Sequence, residues 1–90
     1  MSVADEIHRR LETLAPQRLE LIDESARHAG HAGARTGGNT HWRLLIASPV
    51  FAGKATVARH RMIYDALGEL MNDPIHALAI TARAPGEPGA

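Results

Sequence analysis

The sequence predicts a small α/β domain of the α+β type, with a three-stranded mixed sheet and helices packed on one of its faces, in the order α-β-β-α-β. Three observations carry this expectation. Two stretches repeat apolar residues at three- and four-residue spacing, and three shorter ones are apolar or alternate. One helical stretch lies between the last two strands, which favours a crossover setting them parallel, while the first two strands form a hairpin.

Ser2 opens the first helix, with Asp5 and Glu6 in the first turn where the helix dipole favours negative charge. Val3, Ile7, Leu11 and Leu14 form one stripe that ends near Ala15-Pro16. Arg18 to Asp23 reads as a short strand. Glu24 to Asn39 follows, with four Gly, four Ala and two His and no hydrophobic period, a loop of a length that usually serves function. Thr40 to Ala47 alternates Trp42, Leu44 and Ile46 against His41, Arg43 and Leu45, the pattern of a strand.

Ser48 to Lys54 reads as a turn anchored by Phe51. Thr56 opens the second helix, in which Val57, His60 or Arg61, Tyr64, Leu67 and Met71 recur at helical spacing until Asn72-Asp73-Pro74 stops it. Phe51 and Tyr64 are expected in the core of so aromatic-poor a domain. Ile75 to Thr81 is the third strand, with His76, Leu78 and Ile80 on one face. The tail from Arg83 to Ala90 has two Pro and two Gly and is expected to fray. The domain is therefore placed at 1–84 and a flexible tail at 85–90.

Ninety residues suffice for one such domain, and with one Trp, one Tyr and one Phe its core must rest on Leu, Ile and Val. The formal charge is zero, which weighs against tight non-specific binding to nucleic acid. Without cysteine, the chain alone can form no disulfide and do no thiolate chemistry. No stretch reads as a signal peptide or approaches a membrane span, so a cytoplasmic protein is expected, a monomer or weak dimer in isolation.

No nucleophile has a base at meaningful spacing, and Glu24-Ser25 near His28 lacks an orienting scaffold, so binding without catalysis is expected. His28 and His31, three apart, have a spacing that suits zinc, but two loop ligands do not close a tetrahedral site. Lys54 with Arg59, His60 and Arg61 forms a basic group, whose plainest reading is a solvated helix face.

Five blocks carry a family resemblance: Ile22-Asp23-Glu24-Ser25, Thr40-His41-Trp42, Phe51-Ala52-Gly53-Lys54, Arg59-His60-Arg61-Met62-Ile63-Tyr64 and Ile75-His76-Ala77-Leu78. In this order and at these intervals, from about Leu11 to Ala84, they resemble the BolA family. The resemblance implies a class II KH-like fold, with any C-terminal helix short or absent here, since Arg83-Ala84-Pro85-Gly86 is a poor helix start. It implies a cytoplasmic partner of monothiol glutaredoxin that shares a [2Fe–2S] cluster in iron–sulfur assembly, trafficking or iron regulation.

In such pairs the glutaredoxin brings its Cys and a bound glutathione. The resemblance places the remaining ligands at His76 and in the loop at His28, with His31 competing for that place. Imidazole ligation would raise the cluster's reduction potential, as in Rieske-type centres. The alternative it implies is a DNA-binding transcriptional regulator of morphology, stress or biofilm genes, gripping phosphate through Lys54, Arg59, His60 and Arg61. The same basic residues would also suit glutaredoxin or the glutathione carboxylates.

Overall fold

The computed structural model describes residues 2–25 and 38–90. Helix α1 (Val3–Leu11) begins as its sequence requires: the Ser2 hydroxyl accepts the Asp5 amide at 3.0 Å, and the Asp5 carboxylate accepts the Ser2 amide in return. A 3-10 turn, Glu12–Leu14, carries the apolar stripe one step beyond the α-helix. Ile7, Leu11 and Leu14 are buried, and Val3 packs against them.

Strand β1 (Arg18–Asp23) pairs antiparallel with β2 (His41–Ala47), and β2 pairs parallel with β3 (Ala77–Arg83), giving the sheet order β1-β2-β3. The mixed sheet inferred from the crossover is present. Register aligns Leu21, Leu44 and Ile80 in one row and Leu19, Ile46 and Ala82 in the next. Neighbours in a row share a face, and these rows form the apolar face. Buried residues of both helices join the same cluster as Trp42, Leu44, Ile46 and Ala82, so both helices cover that one face.

The third strand begins later than its apolar pattern suggests. Ile75 is a buried core residue whose amide bonds to the Leu70 carbonyl, closing the turn that leaves the second helix. His76 therefore precedes β3 rather than lying within it.

Helix α2 (Thr56–Leu67) shows the largest departure from the sequence reading. Its buried residues are Arg59, Ile63 and Leu67, while Val57 is 62% and Tyr64 41% exposed. The expected stripe through Val57 and Tyr64 is turned to solvent, so Tyr64 lies outside the core that the sequence predicts for it; Phe51 lies within it, with no exposed surface. The α-helix also ends earlier than Asn72-Asp73-Pro74. Gly68 takes a φ of +57°, where a side chain is strained, and a Cβ there would lie 3.1 Å from Arg10 Nη1. That same Arg10 nitrogen donates to the Leu67 carbonyl at 2.9 Å, satisfying the helix end, and a 3-10 turn (Gly68–Met71) follows.

Beyond β3 the segment read as a fraying tail folds back in turns. The Glu87 amide bonds to the Ala84 carbonyl, Glu87 Oε1 accepts the Ala84 amide at 2.8 Å, and Arg83 Nε donates to the Pro88 carbonyl at 2.9 Å.

Candidate functional site: the histidine corner at the start of β3

The site is built where the first hairpin opens and the last strand enters. Asp23 ends β1, and two residues later Ser25 is buried. The Asp23 carboxylate accepts the Ser25 amide at 2.9 Å, the Ser25 hydroxyl at 2.5 Å and the Asn39 amide at 3.3 Å. Burial works against its charge, but the hydrogen bonds from Ser25 and Asn39 outweigh it and hold the carboxyl below the usual aspartate value. With its O–H directed at Asp23, the Ser25 oxygen accepts the amides of Thr40 and His41 at 2.9 and 3.2 Å. The two ends of the 26–37 segment are thereby tied to one another.

Gly38 makes the closure possible. Its φ is +86°, and a Cβ there would lie 3.1 Å from Asp23 Oδ2. Trp42, buried beneath, donates its indole N–H to the Asn39 carbonyl at 2.9 Å.

Thr40 is the hub. Its hydroxyl is hydrogen-bonded to His41 Nδ1 at 2.9 Å, and its carbonyl accepts the amides of His76 and Ala77 at 2.7 and 3.0 Å. The His76 backbone is thus pinned to the sheet while its side chain is exposed. His41 is 8% exposed, and its ring centroid lies 5.3 Å from that of His76 at an interplanar angle of 52°. Among the described residues the His76 ring makes no hydrogen bond, so its nitrogens remain available to a ligand.

The other residues singled out by sequence fall elsewhere. His28 and His31 lie outside the described residues. Lys54 and Arg61 are exposed, and His60 sets its ring edge-on to Tyr64 with centroids 6.3 Å apart. Arg59 does not belong to a solvated basic face. Its guanidinium turns inward, donating to the Lys54 carbonyl at 2.8 Å, the Ala82 carbonyl at 3.0 Å and both oxygens of Glu87 at 2.6 and 2.8 Å. With all three nitrogens bonded and only one of its five N–H groups left over, it is not the open fork that grips a phosphate.

Sequence reasoning did not find the Asp23–Ser25–Thr40 network. The signal was there, in short hydroxyl and carboxylate side chains at both ends of a long loop, the residue types that satisfy loop backbone. In the described residues no group of three or more metal-ligating side chains gathers in one place, so a metal held here would need ligands from elsewhere.

A three-stranded mixed sheet faced on one side by two helices, with an exposed histidine pinned at a strand start, defines a small α+β domain. Its sequence matches the family described as BolA-like protein over residues 11–87, and the chain belongs to that family.

Relatives agree in sequence and in fold. BolA-like protein 1 of Mus musculus is 42% identical over 76 residues, covering 84% of this chain and 53% of its own length. The BolA domain of SufE1 from Arabidopsis thaliana superposes with a TM-score of 0.81 at 41% identity, covering 94% of this chain and 95% of that one. BolA1 from the same plant superposes at 0.83 with 32% identity, covering 97% and 96%. The chain spans 24% of the full SufE-like protein 1 and about half of the mouse protein. No helix among the described residues is long and apolar enough to cross a membrane.

Proposed function

We propose that the chain is a non-enzymatic partner of a monothiol glutaredoxin, and that the two share a [2Fe–2S] cluster in the assembly or trafficking of iron–sulfur centres. The observation that carries the reading is His76: an exposed imidazole that makes no hydrogen bond among the described residues, on backbone fixed to the sheet by Thr40. Neutral imidazole is an iron ligand, and rigid backbone beneath a ligand improves its placement. The kinship with a BolA domain in SufE1 supports the same reading.

The residues present fit such a cluster only in part, which is what a shared site requires. With no cysteine in the chain, its contribution would be imidazole alone, from His76 and, on the family resemblance, His28, with His31 the competing loop ligand. Thiolates must then come from the partner and from glutathione. When bound, the cluster would supply one-electron or cluster-transfer chemistry. This chain's part is to present nitrogen ligands and a docking surface, to which exposed Lys54 and Arg61 can add contacts to carboxylates.

The nucleic-acid reading is the weaker. It needs a basic face, and Arg59 is absent from that face, leaving Lys54, His60 and Arg61 in a chain of zero formal charge.

The test is anaerobic reconstitution of the chain with a monothiol glutaredoxin and glutathione. A stable heterocomplex whose visible absorption differs from that of the glutaredoxin alone is expected. A colourless pair, or a spectrum identical to that of the glutaredoxin alone, overturns the proposal.

A further inference from the structure

We propose that His41 is a positioning residue for His76: its buried ring sets the direction in which the His76 imidazole presents its nitrogens. The inference rests on the reading of His76 as a ligand, and it adds a residue that the ligand set leaves out.

The geometry puts both rings under the control of one residue. The Thr40 hydroxyl bonds to His41 Nδ1, and the Thr40 carbonyl accepts the His76 amide at 2.7 Å. The His41 ring is therefore held from behind, and the His76 backbone is held from below. Pinned backbone leaves an exposed histidine only its two side-chain torsions. Among the described residues the one ring contact of His76 is His41, at 5.3 Å and 52°. Thr40 is held in turn by Ser25, and Ser25 by Asp23, so the support reaches back to the end of β1.

Such support matters because an exposed side chain otherwise loses rotamer entropy on binding, which lowers affinity. Removing the residues that orient a metal ligand typically costs about 10–100-fold in metal affinity. A ring-to-ring contact without a hydrogen bond belongs at the lower end, about tenfold.

The experiment measures the χ1 couplings and ring shifts of His76 by NMR in the isolated full chain, with no metal or partner present. One dominant rotamer is expected in the parent. Averaged couplings are expected in His41→Ala and in His41→Leu, which fills the volume without a planar ring. His41→Phe, which restores a ring, should return the parent values. Thr40→Val keeps both histidines but frees the His41 ring, and it carries the same expectation as His41→Ala should the latter fail to fold. In the reconstituted pair, His41→Leu should lose cluster about tenfold faster than the parent and His41→Phe at close to the parent rate. Unchanged His76 couplings in the Ala, Leu or Val variants, or no recovery in His41→Phe, overturn the proposal. The ligand reading fails separately: a His76→Ala complex with the parent's cluster spectrum would overturn it while leaving the rotamer result standing.

Discussion

Arg59 and Glu87 form a two-pronged ion pair, with Nη1 2.6 Å from Oε1 and Nη2 2.8 Å from Oε2, joining the inner face of α2 to the chain beyond β3. The same guanidinium also satisfies the Lys54 and Ala82 carbonyls, so one side chain closes a turn, a strand end and the following segment. Arg59→Leu should cost clearly more than a surface substitution in urea unfolding, because its charge-assisted bonds to Glu87 and its bond to the Lys54 carbonyl are lost, while the Ala82 carbonyl keeps only its bond from Arg83 Nη1. Arg61→Ala, two residues along the same helix but exposed, should stay within about 0.5 kcal/mol. Equal costs for the two would contradict the placement.

The pair also sets a pH dependence. Arg59 holds the Glu87 carboxyl at about 2, with the Ala84 amide adding to the effect, against an ordinary 4.5. A carboxylate with a depressed folded-state pKa stabilises the fold above its unfolded value and loses that contribution as pH falls through the folded one. The parent's thermal advantage over Glu87→Gln should therefore be complete above pH 4.5 and shrink steadily toward pH 2. A difference in Tm that is constant across this range would show that the charge is not what Glu87 contributes.

At the loop base, Ser25→Ala removes the acceptor of two amides and a donor to Asp23 at once. Leaving buried amides unsatisfied costs about 1–3 kcal/mol, and Ser25→Ala should lie in that range. Gly38→Ala should cost about 1–2 kcal/mol through its positive φ, with the approach to Asp23 Oδ2 adding to it. Chemical denaturation of both variants checks this, and parent-like midpoints would remove the clamp from the account.

The facing of α2 gives a fourth comparison. Ile63→Ala should cost about 2–4 kcal/mol as a buried large-to-small change, whereas Tyr64→Ala should cost under about 1 kcal/mol. The reverse order would restore the stripe first read from the sequence.

That helix shows why some of the structure was legible and some was not. The caps, strands and crossover rest on local rules, and so β1 appears at Arg18–Asp23 as read, and β2 within one residue. Arg59 stands where an apolar residue would be expected, and its burial depends on Glu87, which lies 28 positions along the chain. No periodicity in α2 reveals such a partner, and apolar spacing alone predicts a stripe through Val57 and Tyr64. Gly68 is a readable stop signal, but Asn72-Asp73-Pro74 is the stronger one in sequence. At the site, His76 was found through the family blocks. Its support by Thr40 and His41 needed the register of β2 against β3, which sequence alone leaves unset.

The central claim is that His76 binds iron in a cluster completed by another protein. The most direct test is pulsed EPR on the one-electron-reduced heterocomplex, made with this chain labelled with nitrogen-15 histidine and the glutaredoxin unlabelled. Strong nitrogen-15 hyperfine coupling is expected, with the contribution of one imidazole lost in His76→Ala. A reduced complex with no such coupling, or with coupling unchanged in His76→Ala, would contradict the account.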